Sequence, residues 1–193
     1  MRSYLVLFVF ILLHKSVANL DANVCAADIP NEKDIKEAMK MVNRWENQRI
    51  GETTINQVIM IKTVWHLIKN GEEGNFNGDV DRSMKVLNEA FSPHFQFYVA
   101  KINVVKNTAF WDVGQLSHDG MKLELHEGDC SVLNVYSTKY SNLGSTKFPK
   151  YCSTSPSLDG VIISYDTVPG GTNQGYVDCH LIYFLIVSCV DAY

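Results

Sequence analysis

Histidine and cysteine are the residues of this chain with the widest chemical reach, and their spacing limits what they can do. There are six histidines and five cysteines. His126 is followed directly by Glu127, the dipeptide that opens H-E-x-x-H. In that motif two histidines one helical turn apart grip a zinc ion, and the glutamate takes a proton from the metal-bound water. Here Gly128, Asp129 and Cys130 come next, so the second histidine is missing, and the motif occurs nowhere else. His126 then reads as a helix-end residue interacting with the helix dipole. His180 has Leu181 where the glutamate would stand, and no histidine follows it. His66 lies in an apolar run and reads as a core or interface histidine. His94 and His118 fall in polar turns and read as solvated. There is no Cys-x-x-Cys pair for cysteine-based zinc binding and no G-x-S-x-G nucleophile turn. Asp178 with His180 is too little for a mechanism. The expected set of catalytic residues is empty, and so is the expected set of metal ligands.

The elements around these residues follow from hydrophobic period and turn chemistry. Pro30 to Gln48 reads as a helix capped by Asp28, with Ile35, Ala38, Met39, Val42 and Trp45 on one face. Gly51 to Asn56 is a polar linker. Val58 to Ile68 is apolar and rich in β-branched residues, the pattern of a buried strand. After the glycine-rich turn from Asn70 to Gly78, Asp79 can cap a helix whose stripe is Val80, Met84, Leu87 and Phe91, stopped by Ser92-Pro93. Phe95 to Val105 reads as a strand, Ser117 to His126 as a short helix weakened by Gly120, and Val132 to Tyr136 as a strand. Ser141 to Pro149 reads as loop, with a short edge strand as the alternative within it. A last strand runs from Val161 to Tyr165, and Pro169-Gly170-Gly171 turns the chain. Strands alternating with helices predict an α/β layer structure.

The N-terminus has the form of a secretory signal. Arg2 precedes the apolar run Tyr4 to Leu13, and Ser16-Val17-Ala18 supplies small residues for cleavage after Ala18. The run is too short to span a bilayer, so no membrane anchor is expected. Secretion permits disulfides, and Cys130 with Cys152, flanking one compact stretch, is the first choice for a bridge. With Cys25, Cys179 and Cys189 the count is odd, which leaves at least one thiol unpaired or paired to another chain. A net charge of −4 without any basic block argues against nucleic acid as a partner.

Four segments, in order, carry a resemblance. They are Val64-Trp65-His66-Leu67-Ile68 before a glycine-rich turn; Met84-Lys85-Val86-Leu87-Asn88-Glu89-Ala90-Phe91 leading into Phe95-Gln96-Phe97; Leu133-Asn134-Val135-Tyr136, followed by Leu143-Gly144 and Phe148-Pro149; and Leu158-Asp159-Gly160-Val161-Ile162-Ile163, followed by Pro169-Gly170-Gly171. Together they resemble the upper subdomain of pappalysin-type zinc metallopeptidases of the metzincin kind, a group that includes fungal extracellular metalloproteases. The resemblance implies a twisted, mostly parallel sheet with helices against it. It also implies an antiparallel edge strand around Leu143, Gly144 and Ser145, where an extended peptide or protein substrate adds itself by backbone hydrogen bonds. An ordinary loop over the core is the plain alternative for those three residues. On this reading residues 1–18 are the signal peptide, 19–57 a prosegment-like helical region, 58–176 a partial metallopeptidase domain and 177–193 an atypical apolar tail.

The chain departs from that family after Tyr176, where the extended zinc-binding motif is expected. Val177-Asp178-Cys179-His180 and the apolar run from Leu181 to Val190 stand there instead. The run reads either as a buried strand or as sequence joined at a frameshift or a retained intron. Zinc is implied for the intact family, and none is expected to be bound by this chain. Cys25 has the position of a prosegment thiol that blocks a metal; a disulfide and a plain free thiol are the other readings. Two functions from different classes follow. One is a secreted metallopeptidase family member, truncated before its active-site helix and inactive. The other is a non-catalytic secreted module that binds peptides or proteins.

Overall fold

The computed structural model describes residues 40, 58–70, 80–92, 95–112, 118–141, 143–146, 152, 154–169 and 171. The signal segment, Cys25, Cys179, Cys189, His94, His180 and the apolar tail lie outside the described residues. Of the helix expected from Pro30 to Gln48 only Lys40 is described, and it is helical.

From residue 58 on, five strands and three helices among the described residues follow the expected alternation. They are β1 (Ile59–Lys69), α1 (Val80–Phe91), β2 (Phe95–Lys106), α2 (Thr108–Trp111), α3 (His118–Leu125), β3 (Val132–Thr138), β4 (Gly144–Thr146) and β5 (Val161–Ser164), with a 3-10 turn at Pro156–Leu158. The strands form one sheet in the order β2-β1-β3-β5-β4. All neighbours run parallel except β4, which is antiparallel to β5. The fold is therefore α/β with a mostly parallel sheet, as expected, and its one antiparallel strand is at an edge.

Burial explains which strands lack alternation. Every residue of β3 is buried, because helices or connecting chain cover both of its faces. On one face α1 lays Val80, Met84, Leu87 and Phe91 against Ile61, Trp65, Phe97, Leu133 and Val135. On the other, Met121 of α3 and Trp111 of α2 pack with Ile68, Tyr136, Tyr140 and Ile162. Gly120 is tolerated inside α3 because its position opens to free space.

Two local features escaped the periodic pattern. The one-turn α2 exists because the Asn107 side chain accepts hydrogen bonds from the N–H groups of Ala109 and Phe110, at 2.9 and 3.3 Å. In β2 the register slips by one residue, from Thr63 opposite Val99 to Val64 opposite Lys101, with Ala100 as the extra residue. A slip of one reverses the faces of a strand. Phe95, Phe97 and Val99 thus share the α1 face, whereas Lys101, Asn103 and Val105 pair with Val64, His66 and Ile68 on the α3 face.

Candidate peptide-binding edge and the polar cluster behind it

Strand β4 is short and closes one end of the sheet. Gly144, Ser145 and Thr146 register against Ile163, Ile162 and Val161. The N–H of Ser164 donates to the carbonyl of Leu143 at 2.9 Å, which makes that opposed pair a hydrogen-bonded one. Antiparallel pairs alternate, so Ser145 also faces β5 with its backbone and Gly144 turns its N–H and C=O away from β5. Leu143 and Ser145 are half-buried, and Gly144 is buried. The three residues expected at an edge strand therefore divide by geometry: Leu143 and Ser145 hold the strand to the sheet, and Gly144 turns its backbone away from it, where it is buried.

The chain before β5 is set by packing too close for a side chain. Gly160 has φ +104°, and a Cβ there would stand 2.6 Å from the carbonyl oxygen of Asn134 and 2.8 Å from the Tyr136 ring. Only glycine combines that dihedral with that approach. From α3, the ammonium of Lys122 donates to the carbonyls of Gly160 (2.7 Å) and Leu158 (3.2 Å) and is 2% exposed. A disulfide joins Cys130 to Cys152 with Cα atoms 5.8 Å apart, tying the start of β3 to the loop beyond β4. Asp159 is buried beside this turn. Burial pushes its carboxyl up, against the opposing pull of the Gly160 N–H and Lys122. The Tyr136 phenol is pushed well above its ordinary range, first by burial and then by Asp159 and Glu127. Neither the Tyr136 hydroxyl nor Oδ1 of Asp159 has a hydrogen-bond partner among the described residues.

The histidines are placed differently from one another. His66 is fully buried, as expected of a core histidine, and contacts Asn134 and Asn103. Burial holds its imidazole below the ordinary value. His118 corrects the expectation of a solvated turn residue. It opens α3, is half-buried, and meets Tyr140 edge to face at 4.9 Å, because the helix turns the ring onto the sheet. His126 does end α3, its N–H donating to the carbonyl of Lys122 at 2.8 Å. Its ring nitrogens are shielded from solvent and bond no carbonyl of the helix among the described residues.

The family's zinc needs several ligands converging on one point. Among the described residues no group of three or more His, Cys, Asp or Glu side chains could hold a metal ion. The described residues do not fit the group, and no step is derived through it. Nor is any described helix long and apolar enough to cross a membrane.

Sequence and fold comparisons agree on the class. No family model matches the sequence. An extracellular metalloprotease of Colletotrichum graminicola is 32% identical over 164 residues, covering 79% of this chain and 58% of that protein. One from Arthroderma benhamiae is 30% identical over 190 residues, covering 87% of this chain and 68% of that protein. Among solved structures, mirolysin in complex with compound 9 overlays with a TM-score of 0.51 at 20% identity, over 64% of this chain and 59% of that one. That overlay speaks for the fold alone, a mostly parallel sheet. The chain belongs to the extracellular metalloprotease family. It spans a little over half the length of the Colletotrichum relative.

Proposed function

We propose that this chain is a secreted member of the zinc metallopeptidases, of the pappalysin type, that holds an extended peptide but does not hydrolyse it by itself. The observation behind the reading is β4, the one antiparallel strand among the described residues, last in their sheet order, with the backbone of Gly144 directed away from β5. A peptide laid along it, once the buried backbone of Gly144 is uncovered, would exchange main-chain hydrogen bonds with Gly144, while Leu143 and Ser145 keep the strand in register. Peptides and unfolded protein segments are the partners of such an edge. Zinc belongs to the intact enzymes of the family, and this sequence has no H-E-x-x-H with which to bind it. Residues 1–18 direct the chain out of the cell, in keeping with relatives named extracellular.

The second reading, a binding module without any enzymatic role, rests on the same strand and differs only in what the bound peptide is for. Fluorescence anisotropy with an extended heptapeptide and its backbone N-methylated twin tests the common core of both. N-methylation removes the hydrogen bonds and keeps the side chains. Binding that weakens at least about tenfold on N-methylation is expected from the loss of one or two main-chain bonds. Equal binding of the two peptides, or none of either, overturns the reading.

A further inference from the structure

The polar cluster around His66 takes no part in peptide holding, and its hydrogen bonds have a fixed direction. The Asn134 amide nitrogen donates to the carbonyls of Glu127 (3.0 Å) and Val132 (3.3 Å), and its oxygen accepts from the Glu127 N–H (3.1 Å). Those bonds settle which end of the amide is oxygen. Nε2 of His66, 3.1 Å from that oxygen, must therefore carry a proton. In the neutral ring Nδ1 is then bare, and the group facing it is the NH2 of Asn103 at 3.5 Å, itself a donor. The same NH2 reaches Oε1 of Glu127 at 3.3 Å, and Lys101 donates to that oxygen at 2.6 Å. One chain of contacts thus runs from edge strand β2 through Glu127 to the loop before β3, and its link to the ring, from Asn103 to Nδ1, needs that nitrogen bare.

We propose that His66 is an acid-operated latch on the β2 edge of the sheet. A second proton, on Nδ1, would meet the amide hydrogens of Asn103. Relief requires that Asn103 turn over or that Glu127 leave Lys101 for the imidazolium. The first move costs Asn103 its bond to Glu127, and the second frees Lys101 of β2 from the loop that follows α3. The bulge at Ala100 makes the device, because without it Asn103 would point to the opposite face. The charged and titratable groups around the ring are Glu127, which favours the proton, and Lys101 and His126, which oppose it, while Tyr136 covers one ring face. Burial outweighs the rest and disfavours the imidazolium.

The sign follows from linkage. In the unfolded chain His66 titrates near its ordinary value of 6.5, and in the folded chain it titrates lower. Its contribution is whole above that value and declines as the pH falls below it, since the unfolded state then binds more protons. The test uses the full chain. NMR of the imidazole at about pH 7.5 is expected to show the Nε2–H tautomer, and urea midpoints are expected to fall between about pH 7.5 and pH 5. In His66→Gln that fall shrinks. Where His66→Gln does not fold, Asn103→Asp decides: a carboxylate facing Nδ1 raises the titration point of His66 and flattens the pH dependence. An Nδ1–H tautomer, a wild-type His66 titrating at 6.5 or above, or a midpoint fall undiminished in the folded variants overturns the latch.

Discussion

The imidazole of His66 lies flat on the ring of Tyr136, centroids 4.7 Å apart and planes 9° from parallel. The two residues are register partners on the adjacent parallel strands β1 and β3. Lys122 holds its ammonium 5.9 Å from the centroid of the same tyrosine ring. Tyr136 therefore links the His66 cluster to the turn that starts β5, and through β5 to the edge strand β4.

The ring does this work and the hydroxyl does not. Tyr136 is 0% exposed and its hydroxyl has no hydrogen-bond partner among the described residues. Tyr136→Phe keeps the stack and removes the buried polar atom, so it should leave stability unchanged or raise it by about 1 kcal/mol. Urea unfolding at neutral pH measures this. A loss of more than about 1 kcal/mol would mean that the hydroxyl is bonded after all.

Two glycine substitutions should move stability in opposite directions. Gly160→Ala places a methyl against the Asn134 carbonyl at a φ of +104°, and a cost of about 3 kcal/mol or more is expected. Gly120→Ala lies in α3 with nothing within 4 Å, and a gain of about 0.5–1 kcal/mol is expected. Thermal unfolding of the pair side by side separates the two effects.

Lys122→Met should be destabilising in a pH-dependent way. It leaves two carbonyls without their donor and the buried Asp159 carboxylate without the cation that favours its charged form most. A cost of about 3 kcal/mol is expected at neutral pH. The folded state binds a proton at Asp159 more readily than the unfolded state does, so the cost should shrink as the pH falls toward 4 and Asp159 becomes neutral. A cost independent of pH would show that Lys122 acts by packing alone.

Asn88 guards the open side of β2. Its side-chain oxygen accepts from the N–H of Phe97 at 2.6 Å and its NH2 donates to the Phe97 carbonyl at 3.0 Å, as a neighbouring strand would. Asn88→Ala should cost about 1 kcal/mol and bare a stretch of edge backbone. Sedimentation velocity is the measurement, with self-association of the variant at concentrations where the unmodified chain stays monomeric as the expected result.

Much of this frame was legible before any coordinates. Val80, Met84, Leu87 and Phe91 recur at helical spacing because α1 has one apolar face to bury. The run from Val58 to Ile68 lacks alternation because β1 is covered on both sides. Between Ser141 and Pro149 the pattern allowed a short edge strand only as an alternative to loop, since three residues are too few to show a period; the resemblance put it around Leu143, Gly144 and Ser145, and the strand runs over Gly144–Thr146. The bulge at Ala100 left no signal, because a one-residue slip conserves composition and depends on the partner strand. Lys122 and His118 were misjudged or passed over for a related reason. Polar side chains inside a short helix look solvated until the tertiary contacts that satisfy them are known. The Asn107 cap did have a signal, an asparagine directly after a strand and before Thr108-Ala109, a polar residue suited to open a helical turn.

The account depends most on what this polypeptide does with zinc and a peptide together. Purified full-length chain, equilibrated with zinc and dialysed, can be assayed for bound metal and for cleavage of a peptide that it binds. The prediction is substoichiometric zinc and an intact peptide, with or without a chelator. One zinc per chain, with cleavage that a chelator abolishes, would contradict it.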